Sequence, residues 1–231
     1  MFTGIIQAVG EVRAIETRGG DARLHVATGS LDLNGTQIGD SIAVNGVCLT
    51  AVELQRDGFR ADVSGETLAR TTLGEWRSGA PVNLEKALLP TTPLGGHLVS
   101  GHVDGVGRVI ERREAARSVL FRIEAPESLA KYIAEKGSVC IDGVSLTVNA
   151  VQGAIFDLNI VPHTLQATTL GRLRSGQPVN IEVDLLARYL ERLLLGGVKP
   201  GAGTQDAATS AAPITQAFLA EHGFAGKNGG T

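Results

Sequence analysis

The sequence predicts an all-β protein: two tandem, homologous, small antiparallel β-barrels of Greek-key type followed by a single C-terminal α-helix. Three observations carry this. Residues 1–95 overlay residues 98–192 without a gap at a constant displacement of 97, Gly4 falling on Gly101. Inside each copy, short β-rich stretches alternate with Gly, Pro, Asp and Asn punctuation, the pattern of a small barrel or sandwich. After the second copy, an apolar stripe at helical spacing occurs once, with no counterpart after the first.

The repeat is dense in specific residues. Gly4, Gly10 and Val12 return as Gly101, Gly107 and Val109; Gly46-Val47-Cys48-Leu49-Thr50 returns as Gly143-Val144-Ser145-Leu146-Thr147; and Pro81-Val82-Asn83 with Glu85 returns as Pro178-Val179-Asn180 with Glu182. A period this long is no solenoid repeat, so each copy is a domain that buries its own core. Strands are expected over 4–15, 23–28, 40–54, 58–64 and 82–88, and again over 101–111, 119–125, 137–151, 154–161 and 179–185. Short helical pieces are expected at 67–73 and 164–170, and Ser128 is a candidate cap for 129–135. Between the copies, Pro90 and Pro93 mark a linker. Beyond the second copy, Leu185, Leu186, Tyr189, Leu190, Leu193 and Leu194 share one face of a helix about three turns long. That stripe must be covered either by its own barrel or by another copy of the chain. Gly, Ala, Ser and Thr then dominate 196–213, a flexible composition, before a weak terminal helix at 214–224. The expected organisation is a first barrel at 1–97, a second at 98–184, an oligomerisation helix at 185–195 and a flexible tail at 196–231.

Composition narrows the function. A net charge of −3 with no cluster of Lys or Arg argues against nucleic acid or an anionic membrane as partner and leaves a small molecule as the default ligand. The start, Met1-Phe2-Thr3-Gly4, lacks the basic and apolar regions of a signal peptide, and no apolar run reaches bilayer length. Cys48 and Cys140 occupy non-equivalent positions of the two copies, so no repeated disulfide framework exists. A soluble protein of the reducing cytoplasm is expected.

Generic motifs mostly exclude. His97 and His102 are five apart with no other His or Cys at ligand spacing, so no metal site is expected. Gly105-Val106-Gly107 lacks the third glycine of a dinucleotide fingerprint and suits a turn or bulge instead. No nucleophile elbow or phosphate loop occurs, which removes common hydrolase and nucleotide-triphosphatase readings. The repeated Gly-Val-Cys/Ser-Leu-Thr strand says more. Residues two apart on a strand face the same side, so Cys48 and Thr50 project together, as do Ser145 and Thr147. Such a pair is either hydrogen-bonded core or the wall of a site, and cysteine opposite serine makes the two copies chemically unequal.

Four segments carry a resemblance: Met1-Phe2-Thr3-Gly4-Ile5, Asn45 to Thr50, Gly95-Gly96-His97-Leu98-Val99-Ser100-Gly101-His102, and Asp142 to Thr147. In order and spacing, over residues 1 to about 190, the chain resembles the α-chain type of riboflavin synthase, a family of lumazine-binding repeats. The resemblance implies a homotrimer whose C-terminal helices pack together, and it admits association with lumazine synthase. The implied reaction is a dismutation of two 6,7-dimethyl-8-ribityllumazine molecules to riboflavin and 5-amino-6-(D-ribitylamino)uracil, with no metal or redox cofactor. Its active site would lie between the N-terminal barrel of one subunit and the C-terminal barrel of the next. A non-catalytic lumazine- or flavin-binding antenna on the same repeat is the rival.

Carried over by motif, the N-barrel pocket comprises Gly4, Ile5, Ile6, Cys48, Leu49, Thr50, Asp62, Val63, Ser64, Gly65, Glu66 and Thr67. The C-barrel pocket is its image: Gly101, His102, Val103, Ser145, Leu146, Thr147, Asn159, Ile160, Val161, Pro162, His163 and Thr164, with Lys136 added. His163 stands where a carboxylate or tyrosine is sometimes expected. Catalytic influence is expected at Phe2, Ser41, Cys48, Thr50 and His102. The C7 methyl of such a lumazine is acidic because its carbanion is conjugated into an electron-poor ring, so a base turns one molecule into a nucleophile. The other is made electrophilic by hydrogen-bond donors or by addition of a nucleophile. Imidazole is the side chain that ordinarily titrates near neutrality, which makes His102 the candidate proton carrier. Cys48 and Ser41 are candidates to supply or orient the nucleophile, Thr50 is a positioning donor, and alignment of the two reactants contributes much of the rate.

Overall fold

Alternation of buried and partly buried residues, as along Asp21–Ala27, turns each copy into strands with one apolar face. The computed structural model describes residues 1–195; the expected flexible segment and terminal helix beyond Leu195 lie outside the described residues. Strands β1 (Ala8–Arg18), β2 (Asp21–Ala27), β3 (Ser41–Val44), β4 (Val47–Gln55), β5 (Gly58–Val63) and β6 (Pro81–Lys86) close an antiparallel barrel in the order β1-β2-β5-β4-β3-β6. Strands β7 (Gly105–Ala115), β8 (Ser118–Glu124), β9 (Ser138–Ile141), β10 (Val144–Gln152), β11 (Ile155–Ile160) and β12 (Pro178–Val183) close a second one by the same path. Every boundary in the second barrel is the first displaced by 97, as from Ala8 to Gly105. Even the bulges recur, between Val12 and Ala14 and between Val109 and Glu111.

The expected single stretch at 40–54 is two strands. Asn45 and Gly46 both take left-handed backbone, with φ of 44° and 77°, and fold the chain into a β3–β4 hairpin. Asp142 and Gly143 repeat the turn. Helix α1 (Gly65–Arg70) is capped by Ser64, and α2 (Pro162–Ala167) starts on Pro162, whose missing N–H costs nothing in the first turn. Each ends in a 3₁₀ turn, Thr72–Glu75 and Thr169–Arg172. Ser128 does not cap a helix: it lies inside a 3₁₀ turn, Glu127–Tyr132, that follows Pro126 and has no side-chain cap.

Each barrel encloses its own apolar cluster, which includes the fully buried Phe59 in the first and Phe156 in the second. Truncating either phenylalanine to alanine would cost about 3–5 kcal/mol. The two barrels are joined by the repeated Asn of Pro-Val-Asn. Buried Asn83 accepts from Thr169 N at 2.8 Å and donates to the Asp142 carbonyl at 2.8 Å; Asn180 accepts from Thr72 N and donates to the Asn45 carbonyl. Helix α3 (Leu185–Leu195) is tied to the second barrel by Glu191 to Lys131 and Tyr132, and by Arg188 to Asp104. Its own barrel leaves the stripe uncovered: Leu186, Tyr189, Leu190, Leu193, Leu194 and Leu195 are 58–82% exposed. No described helix is long and apolar enough to cross a membrane.

Candidate active site

The segments that lead into the barrels lie on the opposite barrel. Phe2 and Val99 form an antiparallel bridge, which sets residues 1–6 beside residues 97–103. Gly4, at φ 75°, then offers its carbonyl to Ser145 N at 2.8 Å, and Gly101, at φ 79°, offers its own to Cys48 N at 2.8 Å. A β-carbon on Gly4 would sit 2.6 Å from Ser145 Cβ, and one on Gly101 would sit 2.6 Å from Cys48 Cβ, so only glycine permits either approach. Ile6 packs on the second core and Val103 on the first. The expected grouping is therefore crossed: Gly4, Ile5 and Ile6 belong with Ser145, while Gly101, His102 and Val103 belong with Cys48. The 97-residue repeat is blind to this choice, because either pairing obeys it.

On the first barrel these residues line a cleft of about 410 Å³ with Cys48, Glu66, Thr67, Arg70, Gly101, His102, Val103 and Asp104 in its wall. That volume is in the range of small-molecule sites. Strand alternation in β4 buries Val47, Leu49 and Ala51 and leaves Cys48 half-buried and Thr50 exposed, as the sequence predicts. The Glu66 and Arg70 side chains pair one turn apart at 2.8 Å on the rim. The other expected residues of this half-site are structural neighbours of the cleft. Val63 is core, Ser64 caps α1 through Thr67 N, Gly65 N donates to Asp21, and Asp62 holds Arg23 in a two-pronged pair at 2.7 and 2.9 Å. Ser41 is the cross-strand partner of Thr50 and lines a separate groove with Lys86 and Leu89. Phe2 is fully buried among Ala43, Val99 and Cys140, against Cys48, so it supports the wall and presents no reactive atom.

The second barrel carries the equivalent positions, with changed chemistry. Ser145 replaces Cys48, and α2 presents His163 and Ala167 where α1 presents Glu66 and Arg70. Thr147, Asn159, Val161, Pro162 and His163 are exposed, Leu146 and Thr164 half-buried, and Ile160 belongs to the core. Lys136 is exposed with φ 65°, at the position of Gly39 in the first copy. A further residue joins this half-site: His97 Nδ1 lies 2.7 Å from Ser145 Oγ. Burial holds His97 below the ordinary imidazole value of 6.5 against the opposing charge of Asp184, and its Nε2 is buried without a partner. The repeat does not reveal His97, whose counterpart would precede Met1. The available signal is Gly96, where a β-carbon would meet Thr3 O at 2.1 Å and Ser145 Oγ at 2.9 Å.

Both crossing segments are held by a buried glutamate. Glu85 accepts from Thr3 N, Thr3 Oγ1 and Gly4 N at 2.7, 2.7 and 3.0 Å. Glu182 accepts from Ser100 N, Ser100 Oγ and Gly101 N at 2.6, 2.7 and 2.9 Å. Burial pushes both carboxyls up, opposed by these three donors in each case. Cys140 is wholly buried and its thiol is pushed well up, whereas Cys48 reaches the surface; both are free thiols.

Comparison with known proteins completes the picture of the site. The family model described as the lumazine binding domain matches twice, over residues 3–87 and 100–184. The chain is 56% identical over 195 residues to the riboflavin synthase of Photobacterium phosphoreum, covering 84% of this chain and 89% of that one. It is 53% identical over 194 residues to the riboflavin synthase of Photobacterium leiognathi, with the same coverage of 84% and 89%. Among solved structures, LumP complexed with 6,7-dimethyl-8-(1'-D-ribityl) lumazine superposes with a TM-score of 0.71 at 27% identity, over 79% of this chain and 99% of that one.

Proposed function

The chain belongs to the riboflavin synthases built from two lumazine binding domains, and we propose on that premise that each barrel holds one 6,7-dimethyl-8-ribityllumazine and that the two exchange a four-carbon unit. The products are riboflavin and 5-amino-6-(D-ribitylamino)uracil, and the enzyme is a transferase. What one molecule loses its twin gains, so the exchange balances without a redox cofactor. The observation that carries this reading is a pair of wall positions related by the repeat yet unequal in chemistry, Cys48 under Gly101 and Ser145 under Gly4. Identical reactants need similar cradles, and opposite roles need different ones.

In the first half-site, His102 is the candidate to take the C7-methyl proton, with Cys48 in the same wall and Thr50 two residues on along the same face of β4 as positioning groups. In the second, the Ser145–His97 couple has the geometry of a nucleophile and its base, suited to adding to the acceptor ring and making it electrophilic. Lumazine contacts are assigned to Cys48, Thr50, Thr67, Gly101, His102 and Val103 in one half-site, and to Gly4, Ile5, Ile6, Ser145, Thr147 and Thr164 in the other. The functional halves therefore cut across the domain boundary near residue 97.

The uncovered leucine stripe of α3 supports a homotrimer in which three such helices bury one another and one copy's first half-site faces the next copy's second. Two free thiols support a reducing, cytoplasmic setting. Identities of 53–56% to proteins named riboflavin synthase set aside the rival of a non-catalytic binder. The test is incubation of the purified protein with the lumazine alone. Growth of riboflavin absorbance and fluorescence is expected; persistent bound lumazine without product would overturn the reading.

A further inference from the structure

We propose that Glu85 and Glu182 are crossed positioning residues: each carboxylate, rooted in the last strand of one barrel, sets the wall of the half-site on the other barrel. The geometry runs as a short chain of contacts. Glu182, on β12 of the second barrel and 4% exposed, gathers Ser100 N, Ser100 Oγ and Gly101 N onto its two oxygens. Gly101 so fixed gives its carbonyl to Cys48 N, and Ser100 Oγ in turn accepts from His102 N at 3.2 Å. Both groups thus positioned, Cys48 and His102, line the cleft of the first barrel. Glu85, on β6 of the first barrel and 3% exposed, does the reverse: it fixes Thr3 and Gly4, and Gly4 gives its carbonyl to Ser145 N. Thr3 O also accepts from His97 N at 3.2 Å, which places the imidazole beside Ser145.

A glutamate is required in each place for an elementary reason. Both carboxylate oxygens face donors, and an amide offers one acceptor and one donor head. Glutamine would turn an NH₂ group toward a backbone N–H, leaving a buried donor unpaired. A merely structural glutamate would loosen the barrel that carries it. A crossed clamp loosens the site on the other barrel instead.

Cys48 supplies the readout, because Gly101 packs directly on it and Cys140 is wholly buried. The experiment follows alkylation of Cys48 by iodoacetamide in the full-length protein without ligand. Glu182→Gln should raise the rate about tenfold, the factor expected for the loss of one hydrogen bond to a charged group, whereas Glu85→Gln should stay within about twofold of wild type. Equal acceleration by both variants, or by neither, would overturn the proposal. Should Glu182→Gln fail to fold, Ser100→Ala against Thr3→Ala makes the same comparison with the carboxylates intact, and the same ordering is expected. The inference about substrate placement rests on the half-site reading above, and a second arm separates the two. Added 6,7-dimethyl-8-ribityllumazine should protect Cys48 in wild type and Glu85→Gln and fail to protect it in Glu182→Gln. Absence of protection in wild type contradicts the half-site reading, while the ligand-free rates still decide the clamp.

Discussion

His97 Nδ1 lies 2.7 Å from Ser145 Oγ, and the first copy has no equivalent pair, because Cys48 occupies the serine position. If the couple acts as a unit, Ser145→Ala and His97→Gln should each lower kcat by about a hundredfold, and the double variant should be little worse than either. Steady-state kinetics of the three variants checks this; full additivity would separate the two residues.

The same imidazole sets a pH dependence. Burial lowers the folded value of His97 below 6.5, so below that pH the unfolded chain binds a proton that the folded one refuses. The histidine therefore costs stability as pH falls through the ordinary imidazole range, and nothing above it. Thermal unfolding of His97→Gln should accordingly depend less on pH between about 5 and 7 than that of wild type.

Cys48→Ser should lower turnover while leaving lumazine binding largely intact, since the smaller hydroxyl keeps the strand but has no imidazole partner like that of Ser145. Fluorescence titration and turnover should diverge. An equal loss of both would show that Cys48 serves binding alone.

Much of the fold is legible because it is written twice. The strands sit at positions where the two copies agree, although the Asn45 and Asp142 turns divide stretches expected as single strands. The site is less legible for the same reason. Gly4 satisfies the repeat whether it lies on Cys48 or on Ser145, and only the hydrogen bond to Ser145 N, a tertiary contact between barrels, decides. His97 lies outside the repeat, so comparing the copies hides it. Ser128 shows the limit of capping patterns: Pro126 starts the turn two residues earlier and leaves the hydroxyl inside it.

Asp142 stands where the first copy has Asn45, and it is wholly buried, with its carboxyl pushed to about 7 by desolvation. Its Oδ1 accepts from Asn180 N at 2.8 Å, a bond that asparagine can keep. Between the ordinary value of 3.8 and about 7 the folded protein holds a proton that the unfolded chain has released, so stability falls as pH rises through that window and stays lowered above it. Asp142→Asn should stabilise the protein by about 1–3 kcal/mol at pH 8, with the advantage vanishing near pH 4, as measured by denaturant unfolding. An unchanged difference at the two pH values would contradict the assignment.

The leucine stripe of α3 offers a separate handle. Leu190→Asp places a charge in the middle of the exposed face and should yield monomers by sedimentation, with turnover lost and the barrels still folded. Monomers of full activity would refute the assembly.

The central claim is that two unequal half-sites from neighbouring copies act together, and mixed oligomers test it most directly. His102→Gln disables the first half-site and Ser145→Ala the second, so each variant alone should be nearly inactive. Co-expressed in equal amounts, they should recover about a quarter of wild-type turnover, the share of random pairings between neighbours in which both half-sites are intact. A mixture no more active than its components would contradict the account, since it would place both reacting molecules on one chain.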